Sequence, residues 1–225
     1  MDWTRHVDSY CERVSSAFWA EPVNALSNLS FLVAAYLVWR MLSRSGHRPA
    51  ASLVALVVVL ATVGAGSFLF HTYATSWAEL ADVTPIRLFM LLYLACYLHW
   101  FWQLRWWLAW LAAVGFIGFS VLVAPVAATL LPNGSGEYLP AFVVLVGAAL
   151  GLLFSGDPDR RAYWPHLALA TGIFTVSLAF RTVDNAVCPG FPLGTHFLWH
   201  VLNGALLFVL GYAVTRRWQA LTNGR

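Results

Sequence analysis

Charged residues are scarce in this sequence, and lysine is missing altogether. Only 10% of the 225 residues are charged, whereas 60% are hydrophobic; a soluble domain carries about 25% charged residues. A chain this apolar cannot cover its surface with polar groups, which excludes an ordinary soluble protein. All basic charge is arginine, and the net charge is only +3. No arginine run interleaves with aromatic residues, so nothing supports nucleic-acid binding.

The N-terminal 20 residues lack the apolar stretch of a signal peptide, so we expect no cleavage and predict that this polar segment folds against the remainder. Long apolar runs, in contrast, are abundant. Seven segments each approach the roughly 20 residues needed to cross a bilayer. They lie at about 24–41, 50–71, 84–103, 105–125, 138–155, 163–182 and 195–215. The sequence therefore predicts an all-α membrane protein, a seven-transmembrane helix bundle.

Arginines are distributed unevenly between the two sets of connections. One set and the C-terminal tail hold most of them: Arg40, Arg44, Arg48, Arg105, Arg160, Arg161, Arg216, Arg217 and Arg225. The positive-inside rule places that side in the cytoplasm and the N-terminus outside. We therefore predict an extracytoplasmic N-terminal segment (1–23), a seven-helix domain (24–215) and a cytoplasmic tail (216–225).

Three histidines lie at the predicted outer ends of two spans. His71 ends the second span, and His196 and His200 begin the seventh. Residues four apart share a helix face. Because the two spans run in opposite directions, we predict that the three imidazoles converge at one depth. Three neutral imidazoles and a water form a common catalytic zinc site, and several ionisable groups at one depth in a membrane suggest function.

Two further residues share that predicted depth. Asp82 opens the third span and could act as general base on the attacking water and then as acid to the leaving group. Ser67, one turn before His71, could hydrogen-bond a developing oxyanion, although serine also mediates helix packing. A non-enzymatic protein stays open as an alternative: a seven-helix receptor or transporter with structural zinc, or a bis-histidine haem carrier.

Acidic residues and cysteines mark the predicted outer side. Asp8, Glu12 and Glu21 offer hard oxygen ligands of the kind that suit calcium, or else form a solvated tail and a helix cap. An oxidising compartment would allow a disulfide between Cys11 and Cys188. Asp184 could pair with Arg181, orient a metal-binding histidine, or be a plain helix-end charge.

Together these motifs resemble those of the alkaline ceramidases, which are related to the adiponectin-receptor-like proteins and the GPI-remodelling lipases. The resemblance covers essentially the whole chain. Its motifs are Ser67-x-x-x-His71, Asp82 and His196-x-x-x-His200, with Tyr10-Cys11-Glu12, the stretch Glu21-Pro22-Val23-Asn24-Ala25-Leu26-Ser27-Asn28, and Asp184-Asn185 with Cys188.

The resemblance implies a zinc-dependent amidohydrolase that cleaves ceramide-like lipids to a sphingoid base and a fatty acid. A related hydrolase of other lipid esters or amides is the alternative. The resemblance to the ceramidases also implies roles for individual residues. His71, His196 and His200 would be zinc ligands, Asp82 would transfer the proton, and Ser67 would support the oxyanion. Asp8, the Tyr10 carbonyl, Glu12 and Glu21 would form a calcium site, and Cys11 and Cys188 would form a disulfide.

The chain departs from the animal enzymes in two places near the predicted calcium site. Arg13 and Val14 stand where those enzymes present more oxygen-bearing side chains. The composition, rich in alanine and valine with arginine as the only basic residue besides histidine, looks bacterial. We therefore predict a multi-pass protein of a bacterial inner membrane, with membrane lipids as substrates and the site on the periplasmic side.

Overall fold

The structure is a computed structural model that describes residues 2–224, and it consists mainly of helices. In chain order these are α1 (Pro22–Ser27), α2 (Leu29–Ser43), α3 (Ala51–Tyr73), α4 (Ser76–Trp102), α5 (Trp106–Leu130), a 3₁₀ helix (Ser135–Tyr138), α6 (Leu139–Leu153), α7 (Pro158–Arg161), α8 (Trp164–Val187) and α9 (His196–Asn223). No strand forms within residues 2–224. Seven helical segments are long and apolar enough to span a membrane, which confirms the predicted seven-helix bundle.

Several helices extend beyond the apolar runs that predicted them. The third span begins at Ser76 rather than near residue 84, so Asp82 lies inside α4 instead of opening it. The two first turns of α4 carry Glu79 and Asp82, which interrupt the apolar pattern there. Pro85 is accommodated inside the same helix. Likewise α9 continues to Asn223, through residues predicted to form a tail.

Two glycines allow close approach between neighbouring helices. A Cβ on Gly66 of α3 would collide with the Ala81 carbonyl oxygen of α4, and one on Gly204 of α9 would lie 2.6 Å from the Ser30 Cβ of α2. Small residues allow such close approach between membrane helices. The α3–α4 contact matters here because it adjoins Ser67 and Asp82.

The N-terminal segment is fastened to one end of the bundle. The Val7 N–H donates to the Ala74 carbonyl at 2.8 Å, and the Ser76 N–H donates to the Arg5 carbonyl at 3.1 Å. The disulfide between Cys11 and Cys188, whose Cα atoms are 5.5 Å apart, joins the segment to the end of α8. The segment therefore bridges the α3–α4 turn and the connection between α8 and α9.

Candidate metal centre

Three buried histidines meet at the end of the bundle covered by the N-terminal segment, which we call the histidine end. His71 lies in the last turn of α3, and His196 and His200 lie in the first turns of α9. Ring centroids are 5.2 Å apart for His71 and His196, 4.7 Å for His71 and His200, and 4.5 Å for His196 and His200. One ligand nitrogen from each lies within 4.8 Å of the others, so the three can hold a metal ion.

A carboxylate fixes the ring of His71. Its Nδ1 lies 2.6 Å from Glu21 Oε2, while the other Glu21 oxygen accepts from Arg13 Nε. Burial opposes ionisation of Glu21, but hydrogen bonds from His71, Asn24 and Arg13 outweigh it and lower the pKa of the carboxyl. A histidine that binds a metal usually gives its second nitrogen to such a partner, which fixes the ring orientation.

His200 and His196 are held by different contacts. His200 Nδ1 lies 2.8 Å from the Ser27 hydroxyl on α1. The His196 ring stacks on Tyr10 of the N-terminal segment, with centroids 3.6 Å apart and planes 17° apart. Burial raises the pKa of the Tyr10 phenol, so this ring stays neutral. The N-terminal segment thus contributes directly to the wall of the centre.

Asp184 supports the centre through the backbone. Its carboxylate accepts the N–H groups of Cys11 at 3.0 Å, Thr195 at 2.6 Å and His196 at 2.9 Å. Of the roles considered from sequence, it neither pairs with Arg181 nor bonds to a histidine ring. Asp184 instead fixes the start of α9, where a negative charge also complements the helix dipole, and so it sets the position of both α9 histidines.

The donor set fits a metal such as zinc on chemical grounds. His71 Nε2 and His196 Nδ1 are fully buried and have no hydrogen-bond partner among the described residues. Buried polar atoms are ordinarily satisfied, and imidazole nitrogens suit zinc, copper, iron and nickel. Two orphaned nitrogens within a group of three imidazoles therefore indicate a metal site without identifying its metal.

Asp82 lies beside this centre on α4. The carboxylate is buried and lies near His71 and Arg181, and its Oδ1 has no hydrogen-bond partner in residues 2–224. The side chain of Ser67 adjoins it. Gly66 makes this arrangement possible, because its missing Cβ leaves room for the backbone of Ala81 and Asp82.

The residues predicted to bind calcium make other contacts. Both Glu12 oxygens accept backbone N–H groups, from Val23 at 2.7 Å and Asn24 at 2.8 Å; burial nevertheless raises the pKa of this carboxyl. Asp8 is exposed. Within residues 2–224, the three histidines are the only metal-ligand cluster of three or more His, Cys, Asp or Glu. The side chains present do not fit a calcium site, and calcium stays a prediction from sequence.

Arg13 occupies the space where a cation would bind Glu21. Besides the carboxylate, its guanidinium donates to the carbonyl oxygens of Ser15 at 3.1 Å, Ala17 at 3.4 Å and His71 at 2.9 Å. Arg13 is 4% exposed. The Glu21 carboxylate and these three carbonyl oxygens therefore already accept hydrogen bonds from Arg13, at the place where a bound cation would otherwise contact them.

An apolar cavity of about 130 Å³ lies inside the bundle. Its lining includes Phe31, Phe89, Tyr93, Tyr138, Phe174 and Trp199. Phe31 contacts His200 edge to face, with ring centroids 6.2 Å apart. The cavity is therefore next to the metal centre and has the apolar surface that a hydrocarbon chain needs.

Fold and centre together define a seven-helix membrane protein with a buried three-histidine site that can hold a metal ion, next to an apolar cavity. The family model of the ceramidases matches residues 4–223, and the chain belongs to that family. Membership makes it a membrane hydrolase that acts on lipid amides. A comparison with curated proteins finds no match.

Four contacts at the centre were not predicted as such. They involve the Ser27 hydroxyl on His200, the Tyr10 ring on His196, the Glu21 carboxylate on His71, and the Arg13 guanidinium on the carbonyl oxygen of His71. Tyr10 and Glu21 had been predicted as calcium ligands, and Ser27 was noted only within a family motif. Spacing in the sequence carries no signal for these contacts, because each joins the N-terminal region to a distant helix.

Proposed function

We propose that this protein is a zinc-dependent amidohydrolase that cleaves ceramide-like lipids to a sphingoid base and a fatty acid. The observation that carries the proposal is the cluster of three buried histidines beside Asp82, next to an apolar cavity. His71, His196 and His200 would hold the zinc. When bound, zinc supplies a Lewis acid that polarises a carbonyl and makes water a stronger acid.

Side chains of the protein would orient the histidines, accept the proton of the attacking water and stabilise the developing negative charge. Glu21 and Ser27 orient the rings of His71 and His200. Asp82 has a carboxylate oxygen without a hydrogen-bond partner, and it would accept the proton of the attacking water as general base. Ser67 would donate a hydrogen bond to the oxygen of the scissile carbonyl as negative charge develops there.

The reaction is the addition of water across the amide bond. The water oxygen bonds to the carbonyl carbon, the carbon–nitrogen bond breaks, and Asp82 returns a proton to the departing nitrogen. One fatty acid and one amine result. The cavity would hold the acyl chain, while water reaches the centre from the histidine end. We further propose that this end faces the periplasm, because the arginine-rich connections lie at the opposite end.

The test combines metal analysis with an assay on a panel of lipid amides and esters. We expect about one zinc per chain, loss of hydrolysis with chelator and recovery on adding zinc. His196→Ala should lose the metal, whereas His47→Ala, at an exposed histidine, should keep it. Asp82→Asn should keep zinc and lose roughly 10²–10⁴-fold in rate.

Several outcomes would contradict the proposal. If His196→Ala kept both stoichiometric zinc and hydrolysis, the three-histidine site would be wrong. Hydrolysis of esters alone, with no amide cleaved, would rule out the amidohydrolase. Tight zinc without hydrolysis of any lipid in the panel would favour the receptor or transporter alternative.

A further inference from the structure

Arg181, in the last turns of α8, is a buried cation without an anionic partner. It is 8% exposed, and among residues 2–224 no Asp or Glu forms an ion pair with it. Its one hydrogen bond there runs from Nη1 to the Tyr10 hydroxyl at 3.0 Å, and its buried Nε has none. An unpaired charge in a low-dielectric interior is strongly unfavourable.

The nearby carboxylates do not neutralise this charge. Asp184, one turn further along α8, is engaged by three backbone N–H groups. Asp82 forms no ion pair with the guanidinium among residues 2–224. The protein therefore presents a fully formed cation whose counter-charge it does not supply at contact distance.

Aromatic rings surround the guanidinium instead. Its central carbon lies 5.6 Å from the ring centroid of Tyr10, 5.2 Å from Tyr138 and 5.4 Å from Trp199. Cation–π contacts offset part of the desolvation, but they leave the net charge in place.

The position of Arg181 suggests which anion completes the site. Tyr138 and Trp199 also line the apolar cavity, and Tyr10 stacks on His196 of the metal centre. Arg181 therefore lies between the cavity and the metal centre. A hydrocarbon chain in the cavity would bring an acidic group at its end to the guanidinium.

We propose that Arg181 binds a carboxylate at the end of an acyl chain held in the cavity. The planar fork of arginine matches a carboxylate, with two parallel N–H···O bonds. Two sources offer this chemistry: the fatty acid released by hydrolysis, and an acidic head group on the substrate. The first source rests on the proposed function; the anion site itself does not.

The experiment measures binding without turnover. Radiolabelled oleate is bound to the purified full-length protein in nanodiscs of zwitterionic lipid, empty discs are subtracted, and oleyl alcohol is the uncharged competitor. Wild type should prefer oleate to the alcohol. Arg181→Gln should lower the affinity for oleate by roughly 10–100-fold, the effect expected for a hydrogen bond to a charged group. The affinity for oleyl alcohol should stay the same. Arg181→Lys should keep part of the preference.

A matched control is Arg87→Gln, which removes the same charge from an exposed ion pair with Glu137. This variant should change the affinity for neither oleate nor oleyl alcohol. Two intact amides, N-oleoylglycine and N-oleoylethanolamine, distinguish the two sources of the carboxylate. Only N-oleoylglycine carries an acidic head group. Equal affinity of wild type for oleate and the alcohol, or equal weakening of both by Arg181→Gln, would overturn the anion site. Failure of hydrolysis alone would contradict the proposed function and leave these binding results standing.

Discussion

Glu21→Gln should separate two effects of a single buried carboxylate. Glu21 accepts hydrogen bonds from the metal-site residue His71 and from Arg13, and both partners are buried. Glutamine keeps the size of the side chain but removes its charge. The substitution therefore leaves Arg13 without a counter-ion and weakens the contact that orients His71.

The expected magnitudes follow from these contacts. Removing one member of a buried ion pair costs about 3–5 kcal/mol of folding stability, which for a chain of this size is roughly 6–20 °C in melting temperature. Loss of a histidine-orienting partner lowers metal affinity by about 10–100-fold. Melting temperature in detergent and zinc affinity by competition with a chelator measure the two effects.

Glu137→Gln is the matched control, because Glu137 forms an exposed ion pair with Arg87 at 3.3 Å. Such a pair contributes about 0–1 kcal/mol, so neither measurement should move appreciably. Adding Arg13→Gln to Glu21→Gln should recover part of the stability by removing the stranded charge, but not the zinc affinity. If Glu21→Gln behaved like Glu137→Gln in both measurements, our account of the buried carboxylate would be refuted.

Three further perturbations test the fold around the centre. Gly66→Ala should lower both the melting temperature and activity, because the added Cβ collides with the backbone of α4, whereas Gly172→Ala, with no atom within 4 Å of its Cβ, should be tolerated. Calcium and calcium-selective chelators should leave the melting temperature unchanged, because Arg13 already binds Glu21; a rise with calcium would support the calcium site predicted from sequence. Replacing Cys11 and Cys188 by alanine should destabilise the protein by about 2–5 kcal/mol, most clearly in the N-terminal segment, and unchanged thermal unfolding would contradict this.

The periodic and compositional parts of the structure were predictable. Apolar runs identified seven spans because a membrane helix must be apolar along its length, and the structure has seven such helices. The four-residue spacing of His196 and His200, with the opposite direction of α3, predicted their meeting with His71. Helix ends were less predictable. The start of α4 was predicted near residue 84, but the helix begins at Ser76 and includes Glu79 and Asp82. Polar residues in the first turns of a helix give the same low hydropathy as a loop.

Contacts across the fold lie beyond what local patterns encode. The acidic N-terminal residues predicted a bound cation at Glu21, and a cation is there, but it is the guanidinium of Arg13. Hydropathy and spacing describe each helix separately, whereas this contact depends on how the segment before α1 folds over the end of α3. Arg13 also donates to the His71 carbonyl, so one side chain links the N-terminal segment to the helix that carries a metal-site histidine. Arg13 thus gives the covering segment an internal charge, and any change that displaces the segment should alter the three-histidine centre.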